Sequence, residues 1–112
     1  MLGGQTQSSD NLVVDGITIN VPSMDQAVSS IVKATQQGET FSVCTLNLDH
    51  VVQLQRRSDF RVAYRRARFV TADGFPIAIL GRLAGTPVER TTGADLIAPL
   101  CAEAGRRQIP IY

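Results

Sequence analysis

Apolar and polar positions first fall into a pattern at Leu12-Val13-Val14 and Ile17-Thr18-Ile19, two short β-rich arms around Asp15-Gly16. Asp-Gly supplies the positive φ angles of a two-residue turn, so the pattern predicts a β-hairpin. Pro22 stops the second arm, and Ser23 with Gln26 makes a capping box for a helix carrying Ala27, Val28, Ile31 and Val32 at helical spacing. Gly38 ends that helix. Residues 40–46 then read as a central strand, too apolar and β-branched at the middle to leave one face in water. Asp49-His50 opens a helix with Val51, Val52 and Leu54 inward. Ser58 is placed to cap a further helix over residues 59–66, with Phe60, Ala63 and Tyr64 or Ala67 facing in.

Residues 68–72 read as a short buried strand that ends in Ala72-Asp73-Gly74. An apolar helix follows over residues 75–83, entered by Pro76 at a first-turn position and closed by Gly85. After the short segment Val88-Glu89-Arg90, Thr92 and Asp95 form a second capping box ahead of Leu96, Ile97, Leu100 and Cys101. Pro99 falls several residues inside that helix and argues for a later start. Gly105 ends the helix, and residues 108–112 open another strand. Helices alternating with buried strands predict an α/β fold, and a strand opening at the last residues reads as the first part of a larger unit. The sheet edge left uncovered predicts self-association, as in a homo-oligomer, or poor solubility of the isolated chain.

Composition narrows the classes. With 44% hydrophobic and 19% charged residues in 112, the chain is long enough for one domain with one core. Residues 1–10 are Gly, Gln and Ser with little to bury and predict a flexible tail, leaving 11–112 as the folded unit. No apolar run reaches the roughly 20 residues that span a bilayer. Net charge is +1, although Arg56, Arg57, Arg61, Arg65, Arg66 and Arg68 crowd one segment, which predicts a solvated face ahead of the alternative, a phosphate or lipid-headgroup contact. A single lysine, internal aromatics and the lack of a nucleic-acid motif argue against a nucleic-acid surface. Cys44 and Cys101 lie far apart without metal-ligand spacing, so both read as reduced core residues and no zinc site is expected.

Candidate chemistry collects at predicted strand ends. Asp73 sits at a strand tip, where a turn lifts a side chain into a crevice, and reads either as a catalytic carboxylate or as a helix cap. Thr45 and Asn47, spaced i, i+2, point the same way at the end of another strand and suit a sugar or nucleotide; the alternative is a strand threonine and a capping asparagine. The helix start beside Gly93 is a place for an anion, and Arg90 just before it adds a cation suited to phosphate, unless Glu89 and Arg90 form a surface ion pair. His50 reads as a first-turn helix residue and not as a base, since no Ser, Cys or second carboxylate is spaced to pair with it. No G-x-S-x-G or placeable Ser/His/Asp order supports a hydrolase.

Thr45-x-Asn47 after a strand, Ala72-Asp73-Gly74 about one helix later, then Glu89-Arg90-x-x-Gly93-x-Asp95-Leu96, resembles the WecG/TagA/CpsF glycosyltransferases over nearly all the chain after Asn11. The resemblance implies a Rossmann-like, mostly parallel sheet with an N-terminal β-hairpin, of which this chain holds the N-terminal part. It implies an inverting hexosyl or N-acetylmannosaminyl transfer from a UDP-sugar to a polyprenyl-diphosphate-linked saccharide in cell-surface polysaccharide assembly. Asp73 would be the general base, Thr45, Asn47 and Arg90 would contact substrate, and Gly74, Gly93 and Asp95 are the matching motif positions. No cofactor and no metal are implied beyond the donor itself, and no D-x-D motif is present. The implied setting is cytoplasmic, with peripheral contact at the inner face of the membrane. This chain is shorter than the family domain, so a non-catalytic or partner-dependent α/β binding fragment, lacking the second half of the site, is the alternative.

Overall fold

The computed structural model describes residues 11–112, so the tail expected over residues 1–10 lies outside the described residues. Among the described residues the fold is α/β: an antiparallel hairpin, a two-stranded parallel sheet and five helices. Strands β1 (Leu12–Val14) and β2 (Ile17–Ile19) pair around Asp15 at φ 51° and Gly16 at φ 80°, the turn that Asp-Gly predicts. Helix α1 (Met24–Gln36) starts on Ser23, whose side chain accepts the Gln26 N–H, and leaves through Gly38 at φ 76°. There follow β3 (Val43–Leu46), α2 (Leu48–Arg56), α3 (Ser58–Arg66), β4 (Phe69–Ala72), α4 (Phe75–Leu83) and α5 (Gly93–Arg106).

The hub is β4, all four of whose residues are buried. One edge pairs in parallel with β3, setting Val43 against Phe69 and Leu46 against Ala72. Its other edge is taken up piecewise. Asn20 accepts the Val70 N–H through its side chain, the Val21 N–H reaches the Val70 carbonyl, and Arg90 forms a parallel bridge to Ala72. Alternation along β4 divides the core. Val70 and Ala72 pack with the hairpin, Leu54, Tyr64 and Ile77, while Phe69 packs with Val21, Ala27, Ala34 and Leu96.

Several expectations are corrected. The strand predicted over residues 40–46 is shorter and, among the described residues, pairs only with β4, so β3 is an edge strand of this sheet and not a central one. Its length is set by a four-residue partner. Ser58 does not cap α3: Arg57 is the N-cap residue, and the Asp59 carboxylate instead accepts the Phe60 N–H and the Arg57 guanidinium. Ala63, Val52, Ile97 and Cys101 are exposed. Two core seams decide this, since α5 buries Leu96 and Ala104 at i and i+8, and Cys101, five residues on from Leu96, lies well round the helix. Cys44 is half-buried against the core, and burial pushes its thiol up.

Pro99 does lie inside α5, and the start is not delayed. Thr92 caps through its side chain and Leu96 is buried, which together outweigh the one backbone bond to Asp95 that proline forfeits. Gly105 is still helical; the positive φ that ends α5 falls on Gln108, at 56°, with the Ile109 N–H returning to the Ala104 carbonyl at 2.8 Å. Among the described residues, 108–112 form no strand: Pro110 offers no N–H, and no neighbouring edge receives the segment. The aromatics are not all internal, for Phe75 and Tyr112 are exposed.

Candidate functional site

Because β3 and β4 run parallel, their carboxyl ends arrive together, Thr45 level with Thr71 and Leu46 with Ala72. The Asp73 N–H continues the ladder to the Leu46 carbonyl at 2.8 Å. The next residue breaks it. Gly74 stands at φ 103°, ψ 155°, a conformation that only glycine adopts without strain, and it serves as the N-cap position of α4 with no side-chain cap. Asp73 is therefore not the cap of this helix. Its half-buried carboxylate makes no hydrogen bond or ion pair to another side chain among the described residues.

The segment entering α5 is laid across the same tip by fixed bonds. The Thr91 N–H reaches the Ala72 carbonyl at 2.6 Å, and the Thr71 hydroxyl donates to the Thr91 carbonyl at 2.8 Å. Both threonines are 0% exposed, so each polar group is matched where water is excluded. A Cβ at Gly93 would lie 3.8 Å from Thr45 Cγ2, which puts the first residue of α5 against the end of β3. Thr45, Asp73, Gly74, Arg90 and Gly93 thus gather at one end of the parallel pair.

Arg90 and Glu89 do not pair. The Glu89 carboxylate accepts the Met24 N–H at 2.6 Å, at the start of α1, while the Arg90 guanidinium carbon stands 5.0 Å from the Phe75 ring centroid. Asn47 and Asp95 serve helix starts in this structure. Asn47 Oδ1 accepts the His50 N–H at 2.8 Å, leaving the amide N–H pair for other partners. Asp95 is exposed in the first turn of α5, its own N–H held by the Thr92 hydroxyl at 2.9 Å. A carboxylate there complements the helix dipole and also weakens the pull of that N-terminus on an anion.

Sequence spacing does not reveal the layer behind Thr45. His50 Nδ1 lies 3.0 Å from the Thr45 carbonyl and 2.7 Å from the Tyr64 oxygen, and the Tyr64 hydroxyl donates to the same carbonyl at 2.9 Å. In the Nδ1–H tautomer both side chains donate toward that carbonyl, which only accepts. The Leu46 carbonyl points to β4, hence the intervening Thr45 carbonyl points to the free edge of β3 and is closed off there by α2 and α3. Burial, with Cys44 and the Asp73 carboxylate nearby, holds the Tyr64 phenol well above its usual range. Residues 14 apart on two helices carry no local signal of this contact.

A cleft of about 670 Å³ runs between α1 and α5, away from the strand tips. Within it Glu103 holds both Arg106 and Arg107 and is kept below the usual carboxylate range first by Arg107 and then by Arg106. Among the described residues no helix is long and apolar enough to cross a membrane, and no group of three or more His, Cys, Asp or Glu is placed to hold a metal.

Comparison with curated proteins gives no match. A family description does match, over residues 12–112, and covers the hairpin, both parallel strands and the Asp73 tip. The chain belongs to the glycosyl transferase WecG/TagA/CpsF family.

Proposed function

We propose that the chain catalyses an inverting transfer of a sugar from a UDP-sugar to a hydroxyl of a polyprenyl-diphosphate-linked saccharide, with Asp73 as general base. The observation that carries this reading is the Asp73 carboxylate, without a side-chain partner among the described residues, at the tip of the buried strand β4, beside the start of α5, with Arg90 bridged to the preceding Ala72. In the reaction the acceptor oxygen attacks the anomeric carbon as its proton passes to an Asp73 oxygen. The bond from that carbon to the diphosphate oxygen breaks, and the electron pair leaves with UDP. Negative charge grows on the leaving diphosphate, where Arg90 and the backbone N–H groups near Gly93 favour it. Thr45 and Asn47 follow at the end of β3, against which Gly93 packs, with the Asn47 amide N–H pair available to a sugar hydroxyl. The parallel pair with its bridge to Arg90 is, in the same reading, part of a Rossmann-like sheet whose ligand crevice lies at the strand ends.

Asp73→Asn keeps the shape and removes the base. Turnover with a UDP-sugar donor and a lipid-diphosphate acceptor is expected to fall by about 10²–10⁴-fold, with UDP binding little changed. Undiminished turnover in Asp73→Asn would sink the base assignment.

A further inference from the structure

Phe75 is the first residue of α4, yet its side chain is turned out and 67% exposed, while Ile77 and Ala78 of the same helix fill the core. One face of the ring is occupied by the Arg90 guanidinium at 5.0 Å. The backbone on both sides of Arg90 is pinned, by Glu89 N–H to the Pro22 carbonyl at 2.6 Å and by Thr91 N–H to the Ala72 carbonyl at 2.6 Å. Its side chain, by contrast, has no carboxylate within ion-pair distance among the described residues. The Phe75 ring lies within cation–π distance of it. At that distance the ring attracts the cation, and among the described residues the guanidinium donates no side-chain hydrogen bond, so its N–H donors stay available to a phosphate.

We propose that Phe75 is a positioning residue whose ring holds the Arg90 guanidinium beside the Asp73 turn with its donor fork open to a sugar-nucleotide diphosphate. This rests on the glycosyl-transfer reading above. The rival explanation is that Phe75 begins an apolar stripe continued by Ile79 and Leu83, 51% and 80% exposed, and that Arg90 rests on it without consequence. Leucine separates the two, because it keeps the stripe and removes the ring quadrupole that attracts a cation.

The test uses the full 112-residue chain, with UDP as the probe, followed by NMR of amide and arginine Nε–H signals. In the wild type the Arg90 Nε–H signal is expected upfield, under the ring current, and UDP is expected to shift Asp73, Gly74 and Arg90. Phe75→Leu should lose the ring-current shift and weaken UDP binding about two- to fivefold, the equivalent of an exposed cation–π contact of about 0.5–1 kcal/mol. Phe75→Tyr should restore both. In an Arg90→Ala background Phe75→Leu should add nothing. If the wild type binds UDP at the tip and Phe75→Leu binds it equally well, the positioning role is overturned and the glycosyl-transfer reading stands. If UDP shifts nothing at the tip of the wild type, the diphosphate reading falls and takes the role of Phe75 with it.

Discussion

At the scale of the residue, glycines divide by what surrounds them. A Cβ on Gly81, inside α4, would meet the Thr86 carbonyl oxygen at 2.9 Å, Val88 Cγ2 at 3.2 Å and the Val88 nitrogen at 3.3 Å. Two of those atoms are backbone of the loop that leads to Arg90, so they yield only by moving that loop. Gly81→Ala is therefore expected to destabilise by about 1–3 kcal/mol. Gly105, also helical, has nothing within 4 Å of a Cβ, and Gly105→Ala should stabilise by about 0.5–1 kcal/mol. Urea denaturation of the two variants should move the midpoint in opposite directions; a shared direction would show that the loop contact is not tight. Gly38 and Gly85 were legible as helix ends because only glycine takes their positive φ freely, at 76° and 79°. The same stop at Gln108, φ 56°, was not legible, since a glutamine carries no such signal and Gly105, three residues earlier, offers a false one.

At the scale of the element, helices are tied to strands by contacts of long sequence separation. Arg61 of α3 reaches the hairpin turn, with Nη2 2.6 Å from Asp15 Oδ2 and Nη1 2.8 Å from the Asp15 carbonyl. Tyr64 of α3 and His50 of α2 close the free edge of β3 at the Thr45 carbonyl. Tyr64→Phe removes the hydroxyl that donates to that carbonyl, so a loss of about 1 kcal/mol is expected. The pH dependence has a definite sign. A phenol whose folded value is raised above about 10 stabilises fully below that pH, and the contribution is lost as pH rises through the folded value. Urea denaturation at pH 9 and pH 11 should show a steeper fall for the wild type than for Tyr64→Phe. Equal slopes would mean that the phenol is not buried in solution. Capping residues such as Ser23 and Thr92 could be read from local sequence, because the bond closes within three residues. The cap that Glu89 provides to Met24 could not, at a separation of 65 residues.

At the scale of the whole molecule, β4 is where both halves of the core meet, and the Asp73 tip is an extension of it. Slowest amide exchange is expected at Thr71 and Asp73, next to the buried ladder, and fastest at residues 109–112, which carry no regular structure. Hydrogen-exchange NMR would refute this if the hairpin outlasted β4. The chain's own pattern determined the hairpin, the helix starts at Ser23 and Thr92, the buried strand over residues 69–72 and the glycine turn after Asp73, because each depends on φ preferences, caps or periodicity over a few neighbours. Tertiary structure alone decided that β3 lies at an edge, that Val52, Ile97 and Cys101 face out, that Glu89 caps α1 instead of pairing with Arg90, and that Arg90 lies on Phe75. Those outcomes depend on which surfaces meet across tens of residues, and apolar spacing within one helix cannot specify the partner that covers it.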